Sequence, residues 1–265
     1  MSDIYKPPSA DMSYSAPAST PSLSGFGSVD AGIAGQYDFS ISEVISEAWK
    51  KTNGTKGTLW LALLFFVIVA IPASMLVDFI LRIADISYVP GDPTSRLISA
   101  KGLSHLINLV ITVPLGTGLA MIGIKFAAGA PAEASDIFQY FRKLVPLLTA
   151  TLIMYALIIG GFFLLIVPAI YLGLAYSLSL QLIADKGMSP WEALETSRKA
   201  ITHHWWKLFG LYFVVGLIMF ASMIPLGIGL IWTYPMGTLV KGIVYRIIFG
   251  YNGEVMTPPN VALDG

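Results

Sequence analysis

The sequence predicts an all-α, polytopic membrane protein with about six transmembrane helices in three repeated units, each preceded by an amphipathic interface helix. Three observations predict it. Hydrophobic residues make up 55% of the 265 residues and charged residues only 12%, about half the charge of a soluble domain, and mean hydropathy is +0.71. Apolar runs near the roughly 20 residues needed to cross a bilayer cover 58–83, 103–125, 144–164, 168–185, 207–226 and 232–250. Before three long apolar stretches stands a basic segment bearing Trp or Phe: Ser40–Lys51, Ser135–Lys143 and Ser189–Lys207.

Residues 1–36 are rich in Ser, Pro, Ala and Gly and hold one base, Lys6. Such a segment buries too little apolar surface to offset its ordering entropy, so a disordered tail is expected. It has no basic start followed by an apolar core, which excludes a secretory signal peptide. Within it, Tyr5-Lys6-Pro7-Pro8 resembles a Tyr-x-Pro-Pro tag near the start of many proteobacterial membrane proteins. The membrane domain is expected over 37–250, with a short tail over 251–265.

Ser40-Ile41-Ser42-Glu43 is a capping-box pattern, Ser three residues before Glu. Behind it Ile41, Val44, Ile45, Ala48 and Trp49 share one face, with Ser42, Glu43, Ser46, Glu47, Lys50 and Lys51 opposite. That is the pattern of a helix lying in an interface plane, and Asn53-Gly54 marks a break before the first span. In the second segment Ile137, Phe138, Phe141, Leu144 and Val145 form the apolar stripe. The third opens on Ser189-Pro190-Trp191-Glu192, again Ser-x-x-Glu, with Pro at the favoured first helical position.

The second spans of the units echo one another at Pro114-Leu115-Gly116-Thr117 and Pro235-Met236-Gly237-Thr238, with Pro168 equivalent in the middle unit. Pro168 and Pro235 are placed in first turns, where a missing N–H costs little, whereas Pro114 lies deeper and predicts a kink. Lys125 then aligns with Arg246, and Ala84–Gly102 is an insertion in the first hairpin. With six spans, one side holds Lys6, Lys50, Lys51, Lys56, Lys125, Arg142, Lys143, Lys186, Arg198, Lys199, Lys207 and Arg246, and the other holds Arg82, Arg96 and Lys101. The positive-inside rule puts both termini and all interface helices in the cytoplasm of a bacterial inner membrane. Trp49, Trp60, Trp191, Trp205 and Trp206 form the inner aromatic anchors, with Trp232 and Tyr234 on the outer side.

Chemistry-bearing residues are few. Lys241 lies five residues before Arg246, about 7–8 Å deeper along its helix. An intramembrane ionisable group points to function, with Asp185, Asp78 and Asn108 as candidate partners and Asp185 the first of them; the alternative is a snorkelling stem. The candidate polar site is therefore Lys241, Asp185 and Asn108. Asp78 and Arg82 have the i, i+4 spacing of a local ion pair. Asn108 and Gln181 suit interhelical hydrogen bonds, and Gly116 with Ala120 and Gly123 with Ala127 suit close helix packing. His203-His204 cannot chelate one ion by themselves, because adjacent helical residues diverge by about 100°, so an interfacial anchor is expected. Nothing suggests a nucleophile elbow, a zinc helix or a phosphate loop, and Cys is absent. No catalytic residue, metal or cofactor is expected, and sixteen bases balanced by sixteen acids argue against nucleic acid.

The run Ile166-Val167-Pro168-Ala169-Ile170-Tyr171, then Ala184-Asp185-Lys186-Gly187-Met188-Ser189-Pro190-Trp191-Glu192-Ala193-Leu194-Glu195-Thr196-Ser197-Arg198, then Trp206-Lys207-Leu208-Phe209 resembles a broad superfamily of uncharacterised prokaryotic integral membrane proteins. It is also similar to the membrane domain of some glycerophosphodiester phosphodiesterases. The resemblance covers most of 37–250 and implies the helical membrane fold; the catalytic soluble domain of those phosphodiesterases has no counterpart here, so no enzyme is implied. The expectation is a non-enzymatic inner-membrane protein that organises protein partners or lipids through its cytoplasmic-face helices. The alternative is a small transporter or lipid-handling permease with its site near Lys241. Membrane lipids, and protein partners at the cytoplasmic face, are the expected partners.

Overall fold

The computed structural model describes residues 26–83 and 100–252, the side chains of Arg82, Ala100 and Lys101 excepted. Residues 84–99 of the predicted Ala84–Gly102 insertion, the Tyr5–Pro8 tag and most of the C-terminal tail lie outside the described residues. Within them every regular element is helical: α1 (Val29–Ile33), α2 (Ile41–Ile83), α3 (Ala100–Ala127), a 3-10 helix η1 (Ala134–Lys143), α4 (Leu144–Leu164), α5 (Ile166–Ala175), α6 (Ser179–Lys186), α7 (Pro190–His203), α8 (Trp205–Met223) and α9 (Leu230–Phe249).

Five stretches are long and apolar enough to cross a membrane: Ile41–Leu81, Gly102–Ala127, Ala134–Leu164, Ile166–Lys186 and Trp205–Met223. They make the chain a multi-pass membrane protein. The sixth predicted span forms a helix, α9, but is not among them. Its surroundings give the reason. Met236, Leu239, Val240, Ile243, Val244, Tyr245 and Ile248 are fully buried, so α9 beyond its exposed first turn is wrapped by protein rather than lipid. A helix packed on all sides is released from the apolarity that hydrocarbon demands, and α9 carries Thr233, Thr238, Lys241 and Arg246. It begins two residues before the predicted span, which moves Pro235 out of the first turn and into the helix.

Close backbone approach seats α9 against α3. A Cβ on Gly242 would lie 2.4 Å from the Gly123 carbonyl oxygen, and one on Gly123 would lie 2.8 Å from that of Thr238. Small residues let helix backbones meet this way. Gly118 makes the same kind of contact with η1, where a Cβ would sit 2.4 Å from the Ile137 carbonyl oxygen. Gly116, the other predicted packing glycine, has nothing within 4 Å.

The predicted break at Asn53-Gly54 is present: Asn53, at φ −70°, ψ 22°, is non-helical and kinks α2 between two helices that the range Ile41–Ile83 joins. Glu47 pairs with Arg246 at one end of α9 and Trp60 with Ile231 near the other, so α2 runs antiparallel along α9. Other predicted boundaries move. The second predicted interface helix is wound as 3-10. The fourth span is interrupted at Tyr176–Leu178, giving α5 and α6, and α5 lies along α7, where Ser197 Oγ donates to the Ala175 carbonyl at 2.6 Å. Gly187 ends α6 at φ 68°, a left-handed position that glycine takes without steric cost.

Residues 26–36, expected as part of a disordered tail, form a strap across the Arg246 end of the bundle; 1–25 lie outside the described residues. Gly27 N–H donates to the Arg246 carbonyl at 2.9 Å. Ser28 caps α1 by accepting from Ala31 N–H at 3.2 Å. A Cβ on Gly32 would meet the Ile248 carbonyl oxygen at 2.8 Å. The strap's order comes from docking on α9, which local composition does not encode.

Replacing Gly242 by Ala is expected to lower stability by about 1–3 kcal/mol, the usual cost of overpacking. The thermal midpoint in detergent checks this, with Gly116→Ala as the variant that should not destabilise. Equal midpoints for the two would contradict the close crossing.

Candidate functional site

One end of the bundle carries a collar of charged side chains that ties the non-spanning segments to the ends of the long helices. Arg246, in the last turn of α9, is its hub. Its Nη1 and Nη2 donate to Glu47 Oε1 and Oε2 at 2.7 and 2.9 Å, a bidentate fork that fixes orientation as well as charge. Nη1 also donates to the Ala127 carbonyl, the C-terminus of α3, at 2.6 Å, where the helix dipole favours a cation. The guanidinium lies 5.3 Å over the Phe26 ring. One side chain thus joins α9, α2, α3 and the strap.

Lys125 and Arg246, aligned in the sequence, play matching roles. Lys125 Nζ donates to Asp136 Oδ2 of η1 at 2.8 Å. Asp136 is held in turn by Glu133 N–H at 3.2 Å and Gln139 Nε2 at 2.6 Å. Lysines that end two predicted interface segments cap neighbouring helices. Lys51 Nζ donates to the Phe126 carbonyl at 3.3 Å. Lys143 Nζ donates to those of Ile183 and Ala184 at 3.1 and 2.7 Å. Each puts a cation at a helix C-terminus, where unpaired carbonyls collect.

The predicted polar trio does not assemble. Lys241 meets Gln181 rather than Asp185. With the Gln181 amide turned so that both ends are satisfied, its oxygen accepts from Lys241 Nζ at 3.1 Å and its nitrogen donates to the Ser177 carbonyl at 3.1 Å. Asp185 instead accepts from Tyr245 Oη at 2.8 Å and from Asn252 N–H at 3.2 Å, and pairs with Lys186 at 3.2 Å. It locks the chain after α9 onto α6. Asn108 belongs to a polar ladder between α2 and α3, where Ser74 Oγ donates to its Oδ1 at 3.1 Å and its Nδ2 donates to the Ser104 carbonyl at 2.9 Å. Asp78 joins that ladder by accepting from Ser104 Oγ; its predicted partner, the Arg82 side chain, lies outside the described residues.

The histidine pair anchors the strap. His203 Nε2 meets the Ile33 carbonyl at 3.0 Å and His204 Nε2 that of Gly35 at 3.3 Å. A carbonyl only accepts, so both rings donate from Nε2. Tyr37 Oη donates to the Ala200 carbonyl at 2.9 Å, and burial raises the Tyr37 phenol above its ordinary range. Lys207 donates to Asp38. That bond, then the Phe39 N–H, holds the Asp38 carboxyl below its ordinary value. On α7 the Arg198 fork lowers the Glu195 carboxyl, and Glu195 raises the Arg198 guanidinium in return.

Of the predicted anchors, Trp49, Trp191 and Trp206 are exposed at 48, 57 and 78%. Trp205 is half-buried, its ring stacked 5.1 Å from Phe209. Trp60 and Tyr234, expected on opposite faces, touch: their ring centroids are 5.2 Å apart. The two-sided belt is corrected accordingly, because α9 starts beside Trp60. Glu47, Asp136 and Tyr245 were missed as partners. Asp136 follows the span-ending Lys125 closely in the sequence, whereas Glu47 and Tyr245 are brought to Arg246 and Asp185 only by the helix pairing. Among the described residues no group of three His, Cys, Asp or Glu could hold a metal ion.

No protein-family model, curated protein or solved structure matches the chain.

Two outcomes are expected from the collar. Glu47→Gln should cost about 1.5–3 kcal/mol, the worth of hydrogen bonds to a charged group. A cycle with Arg246→Met should show strong coupling; additive losses would contradict the fork. The depressed Asp38 carboxyl stabilises the strap above its ordinary value of 3.8, and that contribution is lost as pH falls through the lowered folded value. Amide exchange over residues 35–40, corrected for intrinsic rate, should therefore rise between pH 5 and pH 3. In Asp38→Asn the corrected exchange should stay flat; the same rise there would contradict the assignment.

Proposed function

We propose that the chain is a non-enzymatic protein of the bacterial cytoplasmic membrane that organises protein partners or lipids through the collar at its cytoplasmic face. One observation carries the reading: the collar segments are pinned from within while their aromatic residues point away. Glu47 and Asp136 hold Arg246 and Lys125, yet Trp49, Trp191 and Phe138 stay exposed at 48, 57 and 41%. Rigid, exposed aromatics on a charged rim suit headgroups and partner surfaces. The cytoplasmic assignment of this end, with both termini on the same side, rests on its share of the lysines and arginines.

The reading includes three repeated units: α2 with α3, α4 with the interrupted span α5–α6, and α8 with α9. Two matched sets of bonds support it. Lys51 and Lys143 each end an opening segment and cap the second span of their own unit. Lys125 and Arg246 each end a unit and bind an acid of an opening segment, Asp136 of the next unit and Glu47 of the first. The last bond ties the end of the third unit to the opening of the first.

The transporter or permease alternative draws on the break at Tyr176–Leu178, beside which Gln181 and Lys241 meet. Interrupted membrane helices often frame substrate sites. Against it, Leu178, Leu182, Val240 and Val244 pack the surroundings at full burial. A photocrosslinking residue at Trp191 is expected to give discrete protein or lipid adducts in cells, well above one at Phe79 on α2. Adducts should persist in Lys241→Met. Equal yields at the two positions would contradict the collar as the working surface, and substrate flux abolished by Lys241→Met would favour the permease.

A further inference from the structure

The start of α9 lies beside the polar half of α2, and this sets how far the α8–α9 hairpin reaches into the membrane. Trp60 Nε1 donates to the Ile231 carbonyl at 3.0 Å, the Trp60 and Tyr234 ring centroids are 5.2 Å apart, and Lys56 Nζ sits 5.9 Å over the Trp232 ring. Lys56 and Trp232 therefore share one level of the molecule. Along α2 that level is a change of character. Before it the exposed residues include Ser46, Lys50, Asn53 and Lys56; after it they include Leu61, Leu64, Ile68 and Ile71. An amphipathic aromatic cluster beside a lysine at such a change is the make-up of a membrane–water interface. From Trp60 to Ile83, α2 continues for about 34 Å at 1.5 Å per residue, enough for the whole hydrocarbon layer by itself.

The turn joining α8 to α9 lies just past this cluster. Ile224, Leu226 and Ile228 are exposed there at 77, 96 and 57%, and residues 223–231 include no polar side chain. Its backbone is bonded to itself: the N–H groups of Ile224, Leu226, Gly227, Ile228, Leu230 and Ile231 donate to carbonyls within the hairpin. Internal pairing is what hydrocarbon requires of a turn, and water would not select so apolar a tip. From Trp232, α9 runs back toward Arg246, alongside the polar half of α2.

We propose that the α8–α9 hairpin does not cross the membrane. It enters from the face that bears Lys56, turns among the acyl chains of the near leaflet, and returns to the same face. α2 extends beyond its tip toward the far side. Trp60, Trp232, Tyr234 and Lys56 mark the headgroup boundary, and Phe209, Phe213 and Phe220 of α8 continue the lipid-facing strip, so the hairpin lies obliquely. A hairpin that returns and one that crosses twice leave the termini on the same side, so this inference stands or falls apart from the proposed function.

The chain lacks cysteine, which makes sidedness labelling with a membrane-impermeant maleimide direct. Ser46→Cys and Ile83→Cys serve as references for the two ends of α2. Trp232→Cys is expected to label from the Ser46 face and not from the Ile83 face. Labelling from the Ile83 face, or from neither, overturns the proposal. Should Trp232→Cys fail to fold, Leu226→Cys decides: labelled with bimane in detergent and reconstituted, it should be quenched by lipids brominated in the acyl chain and not by aqueous iodide. Quenching by iodide overturns the insertion, and quenching by neither means that a second copy covers the tip, which overturns it equally.

Discussion

The fold depends on the burial of α9 between α2 and α3. Gly123 and Gly242 let two backbones meet where any Cβ would collide with a carbonyl, and that approach brings Arg246 within reach of Glu47, Ala127 and the strap. Move α9 outward by the width of a methyl group and the fork to Glu47, the cap on α3 and the docking of Gly27 are strained together. The close crossing and the charged collar are therefore one construction. Packing sets the distance, and the hydrogen bonds use it.

Burial also explains why α9 reads differently from the other long helices. Lipid-facing helices must be apolar around most of their circumference, as α2, α4 and α8 are over their exposed stretches. α9 answers to protein neighbours, so it tolerates Lys241 beside Gln181 and Arg246 beside Glu47. Lys241 in this setting is a half-buried lysine with a neutral amide partner rather than half of an ion pair with Asp185. The acid it was expected to meet is engaged by Tyr245 and the chain after α9.

Much of the helical architecture was legible in sequence because its causes are local. Continuous apolar runs marked the long helices to within a few residues. The Ser189–Glu192 capping box and Pro190 marked the start of α7, where the box is formed. The corresponding pattern at Ser40 was less informative: Ser40 Oγ meets Ser42 Oγ at 2.9 Å instead. What escaped was set by tertiary contact. The order of residues 26–36 comes from α9, to which Gly27 and Gly32 are apposed. The level of Trp232 comes from its neighbour Lys56. The partners of Arg246 and Lys125 lie on helices 199 and 11 residues away, and only the first distance is beyond any local pattern. Lys125 with Asp136 could have been found by asking which acid follows a span-ending base; Arg246 with Glu47 could not.

Pinned from within and aromatic without, the collar is a stiff face at one end of the bundle. The most direct test is a density map of the protein in native-lipid nanodiscs. The account predicts α9 enclosed by α2, α3 and α8, the Arg246 guanidinium on the Glu47 carboxylate, and Trp60 against Ile231 at the headgroup level. A map with α9 on the lipid-facing perimeter, or with Trp232 and Lys56 on opposite membrane faces, would contradict it.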